Sequence, residues 1–135
     1  MRRPVPRRAL RWLLLALAVA TLVACDPPSD GEADARRPIA VALLERPARV
    51  GPATVEVRPA LDGAPVSGAR VRVVGDMTHA GMVPVVAEAP EVGAGVYRTE
   101  GFAFDMAGDW VLSVDVTYPD GTERAAALAV FVGGR

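Results

Sequence analysis

The stretch Trp110-Val111-Leu112-Ser113-Val114-Asp115-Val116-Thr117-Tyr118 decides the fold. Trp110, Leu112, Val114, Val116 and Tyr118 occupy every second position and alternate with Val111, Ser113, Asp115 and Thr117. A period of two puts the first set on one face of an extended chain, against a core, and leaves the other toward water. No helix places Trp110, Leu112 and Val114 on one side. The same alternation recurs on the N-terminal side, in Thr54-Val55-Glu56-Val57-Arg58 and Arg70-Val71-Arg72-Val73, where valines share one face and charges the other. Together these segments predict a core of Val55, Val57, Val71, Val73, Trp110, Leu112 and Val114.

Turn chemistry separates the strands. Leu61-Asp62-Gly63-Ala64-Pro65 holds Asp-Gly before a proline, and Gly93-Ala94-Gly95 interrupts the next pair. Tyr118-Pro119-Asp120-Gly121-Thr122 is a proline-led turn with glycine where a positive φ is needed. The pattern predicts strands near 39–44, 53–59, 69–75, 82–88, 95–101, 109–118 and 123–132. Seven short strands at such spacing predict an all-β fold, a seven-stranded antiparallel immunoglobulin-like sandwich, with a small β-barrel as the other architecture.

Upstream of this domain the chain changes character. Arg2, Arg3, Arg7, Arg8 and Arg11 precede the apolar run from Trp12 to Val23, which is the layout of a secretory signal. Those twelve residues reach ~18 Å as a helix, short of a ~30 Å hydrocarbon core. Leu22-Val23-Ala24-Cys25 follows and resembles the bacterial lipobox, in which a Cys after small residues is lipidated and becomes the first residue. Cys25 is the only cysteine in the chain. The expectation is a lipoprotein signal peptide at 1–24 and a lipidated Cys25, carrying palmitate or related acyl chains, that opens a flexible tether over 25–37. A domain at 38–135 completes the chain. Asp26-Pro27-Pro28-Ser29-Asp30-Gly31-Glu32-Ala33-Asp34-Ala35-Arg36-Arg37 has little apolar area to bury and fits a disordered tether. Asp26 after the Cys resembles the signal that retains enteric lipoproteins at the inner membrane. The place this implies is the cell envelope, anchored by lipid and facing the periplasm or the outer side of the cytoplasmic membrane.

Charge narrows the partners. From Cys25 onward ten arginines, and no lysine, face sixteen acidic residues. An acidic domain is repelled by phosphate backbones, so nucleic acid is excluded as a partner and a cation is favoured. One cysteine allows neither an internal disulfide nor a thiolate metal cage. Catalytic material is scarce: the only histidine is His79, and of the mature serines only Ser67 could approach it. The chain therefore reads as a non-enzyme.

One constellation remains. Gly75-Asp76-Met77-Thr78-His79-Ala80-Gly81-Met82 joins the third and fourth predicted strands, and Phe104-Asp105-Met106-Ala107-Gly108 joins the fifth and sixth. Alternate connections of an antiparallel meander fall at one pole, so Met77, His79, Met82 and Met106 are expected together there. Thioether and imidazole groups suit the soft ion Cu(I). Methionine also fills irregular core gaps, so the competing reading is ordinary packing in a metal-free module that docks a membrane protein or assembly partner.

Val66-Ser67-Gly68-Ala69-Arg70-Val71 after Asp62-Gly63, then the Met77 to Pro84 segment, Gly95-Val96-Tyr97 and Ala107-Gly108-Asp109-Trp110-Val111-Leu112, resemble the YtkA-like domain family, related to FixH. The resemblance covers about residues 38 to 132. It implies an immunoglobulin-like extracytoplasmic domain found beside copper-transport or oxidase-assembly proteins, with Met77, His79 and Met82 as metal residues.

Overall fold

The structure is a computed structural model that describes residues 35–46, 48–79 and 81–134. The expected export signal, Cys25 and residues 26–34 of the expected tether lie outside the described residues. Eleven strands follow one another: β1 (Ile39–Leu43), β2 (Gly51–Pro52), β3 (Val55–Leu61), β4 (Ala64–Pro65), β5 (Arg70–Met77), β6 (Val85–Glu88), β7 (Glu91–Gly93), β8 (Val96–Arg98), β9 (Ala103–Phe104), β10 (Gly108–Thr117) and β11 (Glu123–Val132). One sheet has the order β1-β3-β8-β7 with β4 beside β3, a second has β11-β10-β5-β6, and β2 pairs with β9. All of these pairings are antiparallel. Among the described residues no helix is long and apolar enough to cross a membrane.

The alternation of the opening stretch becomes the centre of the second sheet. β10 pairs along its whole length with β11 and from Trp110 to Thr117 with β5. Its even-numbered side chains from Trp110 to Val116 are buried and meet Val55, Val57 and Tyr97 of the first sheet. All seven expected core residues are buried. Phe102, Phe104 and Trp110 close one end of this core as successive edge-to-face pairs, with ring centroids 5.3 and 5.2 Å apart.

Seven of the eleven strands, β1, β3, β5, β6, β8, β10 and β11, occupy the segments where alternation predicts them, and four short ones are added. β4 exists because Asp62 and Gly63 both take positive φ, 49° and 82°. That two-residue turn matches the twist of the strands it joins and folds Ala64 back onto Leu61. The segment predicted as a strand from residue 82 starts only at Val85. Gly81, at φ 103°, and Pro84, which has no N–H to give to a ladder, hold residues 81–84 out of the sheet.

β10 runs from one end of the sandwich to the other, and the two ends differ. At the Thr117 end the β10–β11 turn receives the chain as it enters the domain. Arg37 makes two hydrogen bonds to the Asp120 carboxylate, at 3.2 and 2.8 Å, and its guanidinium stacks 4.9 Å from the centre of the Tyr118 ring. The Asp62 N–H bonds to the Arg36 carbonyl. Arg36 and Arg37, assigned to the tether on composition, are thus tied to the folded domain.

Candidate functional site

The four metal candidates belong to the opposite end, where β10 begins. Met77 is the last residue of β5 and the strand partner of Trp110. One residue on, the Thr78 N–H donates to the Asp109 carbonyl at 3.2 Å, which joins the β5–β6 connection to the start of β10. The Trp110 indole N–H donates to the Met106 carbonyl at 3.0 Å and fixes the β9–β10 turn on the same spot. Gly108, at φ 139°, lies directly under Met77: a β-carbon there would come within 2.7 Å of the Met77 methyl carbon. The two connections expected to share a pole do share it.

Their side chains differ in setting. Met77 and Met82 are half-buried and pack against the hydrophobic core. Met106 is 49% exposed. His79 is exposed, with its Nδ1 3.5 Å from the Thr78 hydroxyl. Asp76, Asp105 and Asp109 are also exposed and flank these connections in sequence. Among the described residues no three His, Cys, Asp or Glu side chains form a group able to hold a metal ion. The end therefore brings together backbone segments that bear three thioethers and one imidazole, two of the thioethers being partly engaged in packing.

Two features here carry no sequence signal. Trp110, legible only as a core residue, also clamps the Met106 turn through its ring nitrogen. Gly75, placed by the sequence at the start of the segment that joins the third and fourth predicted strands, lies inside β5 without a positive φ. Its missing side chain instead admits Phe102, whose ring would stand 2.7 Å from a β-carbon at that position.

Elsewhere the polar groups organise structure. Glu56 is only 7% exposed and accepts from Arg58 Nε at 2.7 Å and Arg98 Nε at 2.9 Å. These bonds hold its carboxyl below the usual glutamate range. Glu91 accepts the Gly95 and Gly68 N–H groups, which likewise lowers its pKa. Tyr97 donates to the Val66 carbonyl and accepts from the Ala69 N–H, and burial pushes its hydroxyl pKa up.

Fold and site define a class first: an antiparallel all-β domain of two facing sheets with a methionine-bearing end. A family model described as YtkA-like matches residues 33–115, more than half of the chain, and the chain belongs to the YtkA-like family. The match takes in β1 to β9 and most of β10 and stops short of β11. No curated protein and no solved structure matches the chain.

Proposed function

We propose that this chain is a lipid-anchored, extracytoplasmic, non-enzymatic domain that binds and hands on Cu(I) at the end bearing Met77, His79, Met82 and Met106. The observation that carries the reading is the junction of the two connections, through the Thr78–Asp109 hydrogen bond and the contact of Met77 with Gly108. That junction sets the β5–β6 connection beside the β9–β10 turn, more than twenty residues further along the chain. The donor set fits a soft ion, because thioether sulfur is a soft, polarisable donor that binds without losing a proton. Exposed His79 and Met106 would meet the ion first, and a shift of Met77 or Met82 away from the core would complete its coordination. The anchor would be the lipid on Cys25, and the partner a copper-transport or oxidase-assembly protein of the same envelope.

The test is a Cu(I) titration of residues 30–135, which lack Cys25, against a competing chelator. The parent should take copper from the chelator, and the variant Met77→Leu, His79→Ala, Met82→Leu, Met106→Leu should not. Leucine keeps the volume of the packed methionines, so the fold survives the change. If the variant folds and competes as well as the parent, the site does not exist.

A further inference from the structure

The outer face of the second sheet holds a bowl at the end where the chain enters the domain. On this face the even residues of β5 and the odd residues of β10 and β11 turn away from the core. Strand register sets two rows side by side. One runs Glu88, Arg72, Asp115, Ala125 across β6, β5, β10 and β11, and the next runs Arg70, Thr117, Glu123 across β5, β10 and β11. Thr117 and Ala125 are short and keep the floor low, while the long charged side chains around them form walls. The cavity so formed, of about 490 Å³, is also lined by Arg124, whose Nη1 donates to the Glu123 carbonyl at 2.9 Å.

Three arginines and three carboxylates share this rim. Arg72 has an acid as its cross-strand neighbour on both sides, Glu88 and Asp115, near enough in a sheet for ion pairs to form. Yet none of Arg70, Arg72, Glu88, Asp115 and Glu123 makes a side-chain hydrogen bond or an ion pair among the described residues. The outer face of the first sheet behaves otherwise, since Arg58 and Arg98 close onto Glu56 at 2.7 and 2.9 Å. Around the bowl the guanidiniums and carboxylates line an open space instead. A lone anion there would meet three carboxylates, and a lone cation three guanidiniums. Only a ligand that carries both charges matches both sets. Arg70 and Arg72, two residues apart on one strand face, can grip one anion from two sides, and a phosphate has oxygens enough for two guanidinium forks where a carboxylate fills one. Neighbouring strands stand about 4.8 Å apart, so the acids of β10 lie at the distance that a two-carbon link sets between a phosphate and an ammonium.

We infer that this cavity binds a small zwitterion of the phosphoethanolamine type, its phosphate on Arg70 and Arg72 and its ammonium on Asp115 and Glu123. Glu88 and Arg124 stand outside these contacts, one beside Arg72 and the other beside Glu123, and keep the rim neutral. The same chemistry is presented by a membrane lipid, as a phosphodiester headgroup, and by the free phosphomonoester. Thr117 and Glu123 bracket the turn in which Asp120 holds Arg37, so the cavity lies at the end of β10 opposite the methionines. The site uses no thioether or imidazole and is independent of copper.

The experiment uses the full chain with Cys25→Ser in micelles of an uncharged detergent and follows amide chemical shifts by heteronuclear NMR. The probes are phosphoethanolamine, glycerophosphoethanolamine, inorganic phosphate and ethanolamine. Saturable shifts are expected at residues 70–72, 115–117 and 123–125, with at least one of the two zwitterions bound more tightly than phosphate or ethanolamine alone. Tighter binding of the diester assigns the site to a lipid headgroup, and tighter binding of the monoester assigns it to the free compound. Arg70→Gln with Arg72→Gln should weaken every phosphate probe at least about tenfold. Asp115→Asn with Glu123→Gln should weaken the zwitterions by a like factor and leave inorganic phosphate bound as well or better. All four side chains are exposed, so the fold tolerates both changes. The absence of saturable shifts at the highest attainable concentration overturns the inference. So does inorganic phosphate bound as tightly as both zwitterions, or binding that neither pair of substitutions alters.

Discussion

A single methyl group at Gly75 tests how the core is closed. A β-carbon there would stand 2.7 Å from Phe102 Cζ, 3.0 Å from Cε2 and 3.4 Å from Leu112 Cδ2. The ring cannot swing aside freely, because it packs edge-on against Phe104, which packs edge-on against Trp110. Overpacking of this kind costs about 1–3 kcal/mol. The backbone at Gly75 has no positive φ, so alanine is conformationally welcome and returns about 0.4–1 kcal/mol by restricting the unfolded chain. Gly75→Ala should therefore destabilise the domain by a net ~1–2 kcal/mol, which in a domain of this size lowers Tm by about 4–8 °C for each kcal/mol. Phe102→Leu removes the ring atoms that would clash. In that background Gly75→Ala should be neutral or stabilising, giving a coupling of ~1–2 kcal/mol in a double-mutant cycle measured by urea unfolding. Effects that add to within ~0.5 kcal/mol would show that the Phe102 ring is not what excludes a side chain at residue 75.

Other perturbations read other parts of the frame. Trp110→Ala should cost about 3–5 kcal/mol, enough to threaten a domain whose total stability is ~5–15 kcal/mol, and thermal unfolding by near-ultraviolet circular dichroism checks it. Tyr97→Phe leaves the Ala69 N–H and Val66 carbonyl without their shared hydroxyl, a loss of about 1–3 kcal/mol visible as a lower urea midpoint. Glu56, Glu91 and Asp120 all titrate below their ordinary values in the folded state, through Arg58 and Arg98, the Gly95 and Gly68 N–H groups, and Arg37 respectively. A folded-state pKa that is lowered contributes stability above the unfolded value and loses it as pH falls. Tm should therefore drop as pH falls through and below the ordinary glutamate value of 4.5. In a Glu56→Gln, Asp120→Asn variant the drop should be shallower; an unchanged pH profile would mean these pairs do not contribute.

The long strands were legible because each has one wet face, so a period of two survives in β3, β5 and β10. Pairings of two or three residues, such as β2 with β9, β4 with β3 and β7 with β8, have no period to read. Face assignment by charge failed once, at Glu56. It alternates outward with Arg58 as a polar residue should, yet is nearly buried because Arg58 and Arg98 close over it from two strands. The shared pole of the methionine connections followed from topology. The depth of each methionine did not, because Met77 is half-covered by virtue of its register opposite Trp110 and its contact with Gly108, neither of which is local.

The course of β10 also orders the two ends relative to the point where the chain enters. Tyr118 and Asp120, just beyond its last residue, hold Arg37, and the Tyr118 hydroxyl reaches the carbonyls of both Arg37 and Ala60. Gly108, its first residue, lies under Met77. Ten strand residues at about 3.3 Å each separate these points by ~33 Å. The chain at Arg37 therefore enters the domain at the end remote from the methionines. If Cys25 carries the lipid, the latch at Asp120 turns the methionine end away from the attachment point, where a donor or acceptor of copper can reach it without meeting the anchor.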